Sequence, residues 1–336
     1  MKRPTIADIA RRAGVSTGAV SYALNGQPGV SPATRARILA IADEIGWRPN
    51  IAARALSVAR ADAVGLVIAR PARELSIEPF FIRFIAGLEA ELSARRVALL
   101  LQVVPDHAAG VEAVRHWWAE RRIDGLIVMD LWTDDIRVPV LDALRIPAVL
   151  VGRPRADSAL PSVWSDDGSA ITAAVDYLVT LGHRRIARVA GPQHLDHTQV
   201  RTDAFRAAIT RHRLPKPYVE TTDYTPEAGA RATRALLTRR DRPTAITYDN
   251  DVMAVAALGV ARELDIAVPA DLSVVAGDDS QLCVLVHPAL TALSRDITSY
   301  GTQAARTLLD LLDGAEPGSH QAETAHLLPR ASTAAV

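Results

Sequence analysis

Thr5-Ile-Ala-Asp-Ile-Ala-Arg-Arg-Ala-Gly-Val-Ser-Thr-Gly-Ala-Val-Ser-Tyr-Ala-Leu-Asn-Gly-Gln-Pro-Gly-Val30 decides how the rest of the chain is read. Thr5 and Asp8 stand at N-cap and N3 spacing, and Asp8 adds a negative charge to a first helical turn. Ile6, Ile9, Ala10 and Ala13 then recur at helical spacing and give one apolar stripe. Gly14 lets the chain reverse in the turn Ala13-Gly14-Val15, and Ser16 caps a second helix that buries Val20 and Leu24. Thr17, Gly18, Ser21 and Tyr22 are left facing outward. Ser31-Pro32 opens a third helix, with Ile38, Leu39, Ala42 and Ile45 as its core face and Gly46 as its stop. Two short helices joined by a tight turn, with a third behind, form a helix-turn-helix. The second helix of that motif is shaped for the major groove of DNA.

Charge agrees with this reading. The chain is formally neutral, but residues 1–60 carry nine basic against three acidic residues, and the remainder is acidic by the same margin. A basic head on an acidic body neutralises phosphates without making the body adhere to nucleic acid.

Beyond residue 62 the chain alternates. Apolar runs at Val64–Ile68, Val97–Leu101, Gly125–Met129 and Ala148–Val151 are separated by helical patterns near 80–95 and 107–121. A second series has runs at Ile186–Ala190, Ala245–Tyr248 and Ser273–Ala276, with helices near 169–182, 199–213, 226–240 and 250–264. Such alternation predicts parallel sheets covered by helices. The fold class is thus an N-terminal all-α helix-turn-helix head plus an α/β core of two parallel-sheet layers. The run Thr291-Ala-Leu-Ser294 and the helix at 298–313 are expected to return to the first layer. The expected boundaries are 1–46 for the head, 47–62 for a hinge, 63–160 plus 292–320 for the first layer, and 161–291 plus 321–336 for the second.

Two layers make a cleft, and ligands of open parallel sheets sit beyond the carboxyl ends of the strands. Asn250-Asp251 follows one strand directly, Asp278-Asp279 follows another, and Arg201 opens a helix after the loop at Gly191-Pro192. Carboxylate, amide and guanidinium groups together suit a polyhydroxylated ligand, whose hydroxyls both donate and accept.

The stretches Ile6–Ser16, Val20-Ser21 with Leu24-Asn25-Gly26, Val30-Ser31 with Thr34-Arg35, and Gly46–Leu56 resemble the head and hinge of the lactose-repressor (LacI/GalR) family. The likeness continues over nearly the whole chain, and its core resembles the sugar-binding proteins of the bacterial periplasm. The resemblance implies a dimeric, effector-responsive transcription regulator, a repressor, on a near-palindromic operator with a central CG step. It places DNA contacts at Thr5, Ser16, Thr17, Gly18, Ser21, Tyr22, Asn25, Ser31, Asn50, Ala53 and Leu56. Leu56 matches the residue that wedges into the minor groove. Effector contacts are implied at Arg201, Asn250 and Asp278, with aromatic walls at Phe81 and Tyr224. Where several sugar-binding members carry an acid, this chain has Gly152-Arg153, so Arg153 admits an anionic effector such as a sugar phosphate.

Other classes find little support. The dinucleotide and P-loop glycine signatures are absent from the sequence, and Cys283 is the sole cysteine, so neither a cysteine zinc cluster nor an internal disulfide is expected. His194 and His197 could touch one metal, yet a solvated loop pair explains them better. No cofactor is expected, and no catalytic residue. The chain shows no signal-peptide core and no apolar run near the roughly 18 residues of a membrane span, which points to the cytoplasm. It ends at Val336 without a leucine-heptad tail, so a dimer is expected rather than a tetramer. A free-standing sugar-binding protein is the rival reading, and an enzyme on the same layers a distant third.

Overall fold

The computed structural model describes residues 4–47, 60–71 and 78–336. The contacts divide the chain into one unit ending at Ala61 and a second from Asp62 to Val336.

The first unit is the expected trio of helices, α1 (Ile6–Ala13), α2 (Thr17–Leu24) and α3 (Pro32–Glu44). Its caps are those the sequence dictates. Thr5 and Asp8 close a reciprocal capping box, in which Thr5 N donates to Asp8 Oδ2 at 2.9 Å and Asp8 N to Thr5 Oγ1 at 3.4 Å. Ser16 Oγ accepts from Ala19 N at 3.1 Å, and Ser31 Oγ from Thr34 N at 3.2 Å. Gly14 turns the chain at φ +64°, where a side chain would be strained. Ile9, Ala10, Ala13, Val20, Ala23, Ile38 and Ala42 form the core, with Leu24, Ile45 and Trp47 packed against it. Two expectations change here. Leu39 is 48 % exposed, because the buried face of α3 runs through Ile38 and Ala42 and leaves position 39 a step outside it. Trp47, expected to begin the hinge, packs on the head instead. Asn50, Ala53 and Leu56 lie outside the described residues.

The described residues of the second unit form two six-stranded sheets. In the first, β1 (Ala63–Ala69) has β2 (Ala98–Val104) on one side. On the other follow β3 (Gly125–Val128), β4 (Ala148–Val151), β5 (Ser162–Trp164) and β11 (His320–Gln321), all parallel. In the second, β6 (Ile186–Ala190) has β7 (Val219–Thr221) on one side. On the other follow β8 (Ala245–Tyr248), β9 (Ser273–Ala276), β10 (Thr291–Ser294) and an antiparallel β12 (His326–Leu328). β3, β4, β8 and β9 are buried from end to end, which is why they read as unbroken apolar runs. β2 is an edge strand, and its Leu101 and Val103 are exposed although the run reads as buried.

The helices fall where the periodicity places them: α4 (Pro79–Ala94), α5 (His107–Ala119), α7 (Asp167–Thr180), α8 (Asp196–Arg211), α9 (Pro226–Leu237), α10 (Asp251–Glu263) and α12 (Ile297–Leu312). α6 (Arg137–Leu144) and α11 (Gln281–Leu285) are additions. Along α4, Phe81, Phe84, Leu88 and Leu92 are buried at helical spacing against α12, each contributing roughly 1.5–3 kcal/mol of transfer free energy.

The connection between the layers needs correction. The strand at Thr291–Ser294 belongs to the second sheet, beside β9, and only the following α12 crosses to pack on the first. Ser162–Trp164, by contrast, still belongs to the first sheet, beside β4. The chain therefore crosses between layers after β5, after β10 and after β11. A strand of three residues such as β5 has too little period to be assigned from sequence, and Thr291–Ser294, though legible as a strand, carries nothing in its pattern that says which sheet it joins.

Candidate functional site

Strand order reverses at β1, between β2 and β3, and again at β6, between β7 and β8. Adjacent strands there send their connections to opposite faces, leaving a crevice at the carboxyl ends. The two crevices face each other and enclose a cavity of about 80 Å³. Of the expected effector residues, Phe81, Arg153, Arg201, Tyr224 and Asp278 line it.

Arg201 and Asp278 belong to a network built where the chain crosses between layers. Arg201 Nη2 donates to Asp167 Oδ1 at 2.9 Å, and Arg295 Nη1 donates to the same oxygen at 3.2 Å. Asp167 follows β5 and Arg295 follows β10, so each sits in a crossing. Burial works against the Asp167 carboxylate, but Arg201 and Arg295 outweigh it and hold its pKa at about 2. Asp278 is treated differently. It pairs with Arg295 at 3.8 Å, and among the described residues its Oδ1 has no hydrogen-bond partner. Burial pushes the Asp278 carboxyl up to about 7, against Arg295 and Arg201. It is a mostly buried acceptor with capacity to spare.

Asn250 stands at the expected strand end, but its amide is engaged internally. Its Oδ1 caps α10 by accepting from Met253 N at 2.9 Å, and its Nδ2 donates to Glu78 Oε1 and to Tyr224 O, both at 3.1 Å. Asn250 thereby ties the second layer to Glu78 of the first.

Tyr224 forms one wall and is held tightly. Its backbone is left-handed at φ +67°, which is costly for an aromatic residue and persists only where the surroundings fix it. Its hydroxyl meets His197 Nε2 at 2.8 Å and Thr198 Oγ1 at 3.1 Å. A Cβ on Gly191 would stand 2.1 Å from the ring, so only glycine admits Tyr224 there. Burial and the neighbouring Arg201 lower the His197 pKa to about 4, which keeps the imidazole neutral at pH 7.

That overturns the loop expectation for His197, which lies in the first turn of α8 and lines the cleft; His194 does stand on an exposed turn, at the rim beside Trp132, 4.5 Å between ring centroids. Among the described residues no group of histidine, cysteine and acid side chains could hold a metal. The rim itself is stitched across the layers. Asp196 N donates to Leu131 O at 2.8 Å, Trp132 bridges Leu195, and His107 stacks on Trp132 at 3.9 Å between ring centroids.

Arg153 is not the free cation its sequence position suggested. It reaches across the rim to Asp196, at 2.9 and 3.3 Å. The lining carries six carboxylates (Glu78, Asp130, Asp167, Asp196, Asp249, Asp278) and four guanidiniums (Arg70, Arg153, Arg201, Arg295). The acid lost after β4 is replaced from other strand ends.

Arg70, which follows β1, and Asp130, two residues past β3, escaped the sequence reading; Asp249, a strand-end acid suited to hydroxyl binding, follows β8. Asp249 makes a fully buried ion pair with Arg188 of β6 and accepts from Gly191 N at 2.6 Å. The signal was available: each is the polar residue that ends an apolar strand.

On the head, Thr17, Gly18 and Tyr22 are exposed on α2, with Tyr22 49 % exposed. Thr5, Ser16 and Ser31 serve as caps, and Ser21 Oγ lies 3.4 Å from Asn25 Nδ2. Arg35 holds the loop after α2 by donating to the carbonyls of Gly26 and Gln27. Gly14-Val15-Ser16-Thr17-Gly18 has the G-x-S-x-G spacing of a hydrolase elbow. Its setting is helix–turn–helix rather than strand–turn–helix, and Ser16 Oγ is a helix cap.

The comparisons with known proteins follow this division. Residues 5–50 match the family described as bacterial regulatory proteins, lacI family, and residues 175–333 match a periplasmic binding protein-like domain. The HTH-type transcriptional regulator CelR of Thermobifida fusca is 33 % identical over 342 residues, covering 98 % of both chains. A structure of a CelR–cellobiose complex is 32 % identical with a TM-score of 0.76, over 98 % of this chain and 100 % of that one. The lac repressor dimer bound to operator and the anti-inducer ONPF is 26 % identical with a TM-score of 0.88, over 99 % of this chain and 100 % of that one. Helix-turn-helix head, two-layer core and full-length relatives agree: the chain belongs to the LacI family of DNA-binding transcriptional regulators.

Proposed function

We propose that the protein is a cytoplasmic, dimeric repressor whose hold on a near-palindromic operator changes when a neutral saccharide or sugar derivative binds in the cleft. The observation that carries the effector reading is the convergence of Asp167, Arg201, Arg295 and Asp278 where the chain crosses between layers. A ligand in this cavity, whose lining comes from both layers, touches both layers and the crossings together. It can therefore favour one relative arrangement over another, which is what effector control requires. Asp278 offers an open oxygen to a hydroxyl group, and each guanidinium of the lining is already paired with a carboxylate, which disfavours an anion. The neutral His197, bonded to Tyr224, serves recognition rather than turnover.

On the head, Thr17 and Tyr22 read bases by single hydrogen bonds or by covering a thymine methyl, since neither can make arginine's bidentate contact to guanine. The hinge residues Asn50, Ala53 and Leu56 enter this reading through family resemblance. Leu56→Ala should weaken operator binding far more than binding to random duplex, and equal losses on both would remove the wedge.

Dimerisation has support in the core. Leu101 and Val103 on the edge strand β2, Ile82 on α4, and Val284 and Leu285 on α11 are exposed apolar side chains. The starts of α4 and α11 adjoin, since Arg83 Nη1 donates to Asp279 O at 2.9 Å. An apolar face of this kind is what a two-fold interface covers. Titrating the full-length protein with one hexose and its 6-phosphate tests the effector class. The neutral form should bind more tightly; a preference for the phosphate would overturn the neutral-ligand reading.

A further inference from the structure

We infer that Arg70 fills one subsite of the cleft from within and so limits the size of saccharide the protein accepts; this rests on the effector reading above. Arg70 leaves β1 at the point where strand order reverses. Its Nε donates to Asp130 Oδ2 at 2.7 Å and its Nη1 to Glu78 Oε2 at 3.2 Å. Its guanidinium carbon lies 5.2 Å from the ring centroid of Phe81 and 5.0 Å from that of Tyr224. A planar cation held between two rings, with two carboxylates beside it, is an occupied aromatic cage. The rings come from opposite layers, so the guanidinium takes the place where a flat apolar sugar face would stack.

The remaining space fits this account. The cavity is about 80 Å³, against the roughly 300–1,000 Å³ common for small-molecule clefts. Arg70 is 8 % exposed, and Asp130 and Glu78 are nearly as covered, so the side chain is not free to swing into solvent. Its role differs from that of Arg201 and Arg295, which stand at the crossings. All three line the same cavity, but only Arg70 stands between the two rings. The wild-type cleft should therefore favour shorter saccharides over longer ones for want of room.

The experiment measures binding of hexoses and their β-linked di- and trisaccharides to full-length wild type and Arg70→Ser, by calorimetry. The variant should improve the disaccharide relative to the hexose by about tenfold or more. Millimolar methylguanidinium should refill the cage of Arg70→Ser and restore the wild-type ranking, while leaving wild type unaffected. Should the uncompensated acids prevent folding, the Arg70→Ser/Asp130→Asn protein, in which Glu78 can take a proton, should show the same change in ranking. An unchanged ranking in the folded variant overturns the proposal and leaves the effector reading in place. Binding of no saccharide to either protein overturns both.

Discussion

The head and the cleft are built by opposite rules. The caps and the turn that shape the head are set within a few residues: Thr5 with Asp8, Ser16 with Ala19, Ser31 with Thr34, and Gly14 at a single left-handed position. The cleft is set by partners far apart in sequence. Arg70 and Asp130 are separated by 60 residues, Asp167 and Arg295 by 128, and Glu78 and Asn250 by 172. Its charges are also withdrawn from water, whereas those of the head are exposed. The same kind of group therefore differs in worth between the two regions, since a buried charge that loses its partner bears the full desolvation penalty.

The largest expected effect breaks the cleft. Asp249→Ala leaves Arg188 fully buried without its carboxylate and should destabilise the core by about 3–5 kcal/mol in urea unfolding. A loss below about 1 kcal/mol would show that water reaches Arg188. Gly191→Ala comes next. Its new methyl would meet the Tyr224 ring, so about 1–3 kcal/mol should be lost, and saccharide affinity with it. Retained affinity would mean that Tyr224 is not a wall of the site. On the head, Ser16→Ala removes one cap from an exposed helix start and should cost only about 1 kcal/mol. A cost equal to that of Asp249→Ala would erase the contrast.

The last test is a pH dependence in which groups of the core oppose each other. His107 and His197 have pKa values lowered from 6.5 to about 4, so they are neutral when folded and take up protons on unfolding. The stability they contribute is complete above pH 6.5 and is lost as pH falls towards 4. Asp278 acts in reverse. Its pKa is raised from 3.8 to about 7, so its contribution is present at low pH and is lost as pH rises through 7. Asp278→Asn removes the opposing term, and its stability should fall more steeply than that of wild type between pH 6.5 and 4. Parallel profiles would place the Asp278 pKa near its ordinary value.

The contrast between the regions also explains what could be read from the sequence. Caps, the turn glycine and the apolar stripe are local, and the head folds as they dictate apart from Leu39, whose apolar character was mistaken for burial. Asp278 and Asn250 were legible because each follows a long apolar run. Arg70, Asp130, Asp167 and Arg295 also end strands, but which strand ends converge depends on sheet order and on where the chain crosses between layers. β5 and β11, of three and two residues, carry too little pattern to reveal those crossings. The pairing of Arg153 was illegible for a related reason, since its partner Asp196 belongs to the opposite layer.

The most direct test of the central claim, that this head reads a DNA sequence under control of this cleft, is selection from a random duplex pool by the full-length protein. It is run with and without a mixed saccharide extract. The account predicts an enriched symmetric site, with a central CG step, whose occupancy changes when the extract is present. An enriched site indifferent to the extract would contradict the proposed control by the cleft. No enriched site in either condition would contradict sequence-specific reading by the head.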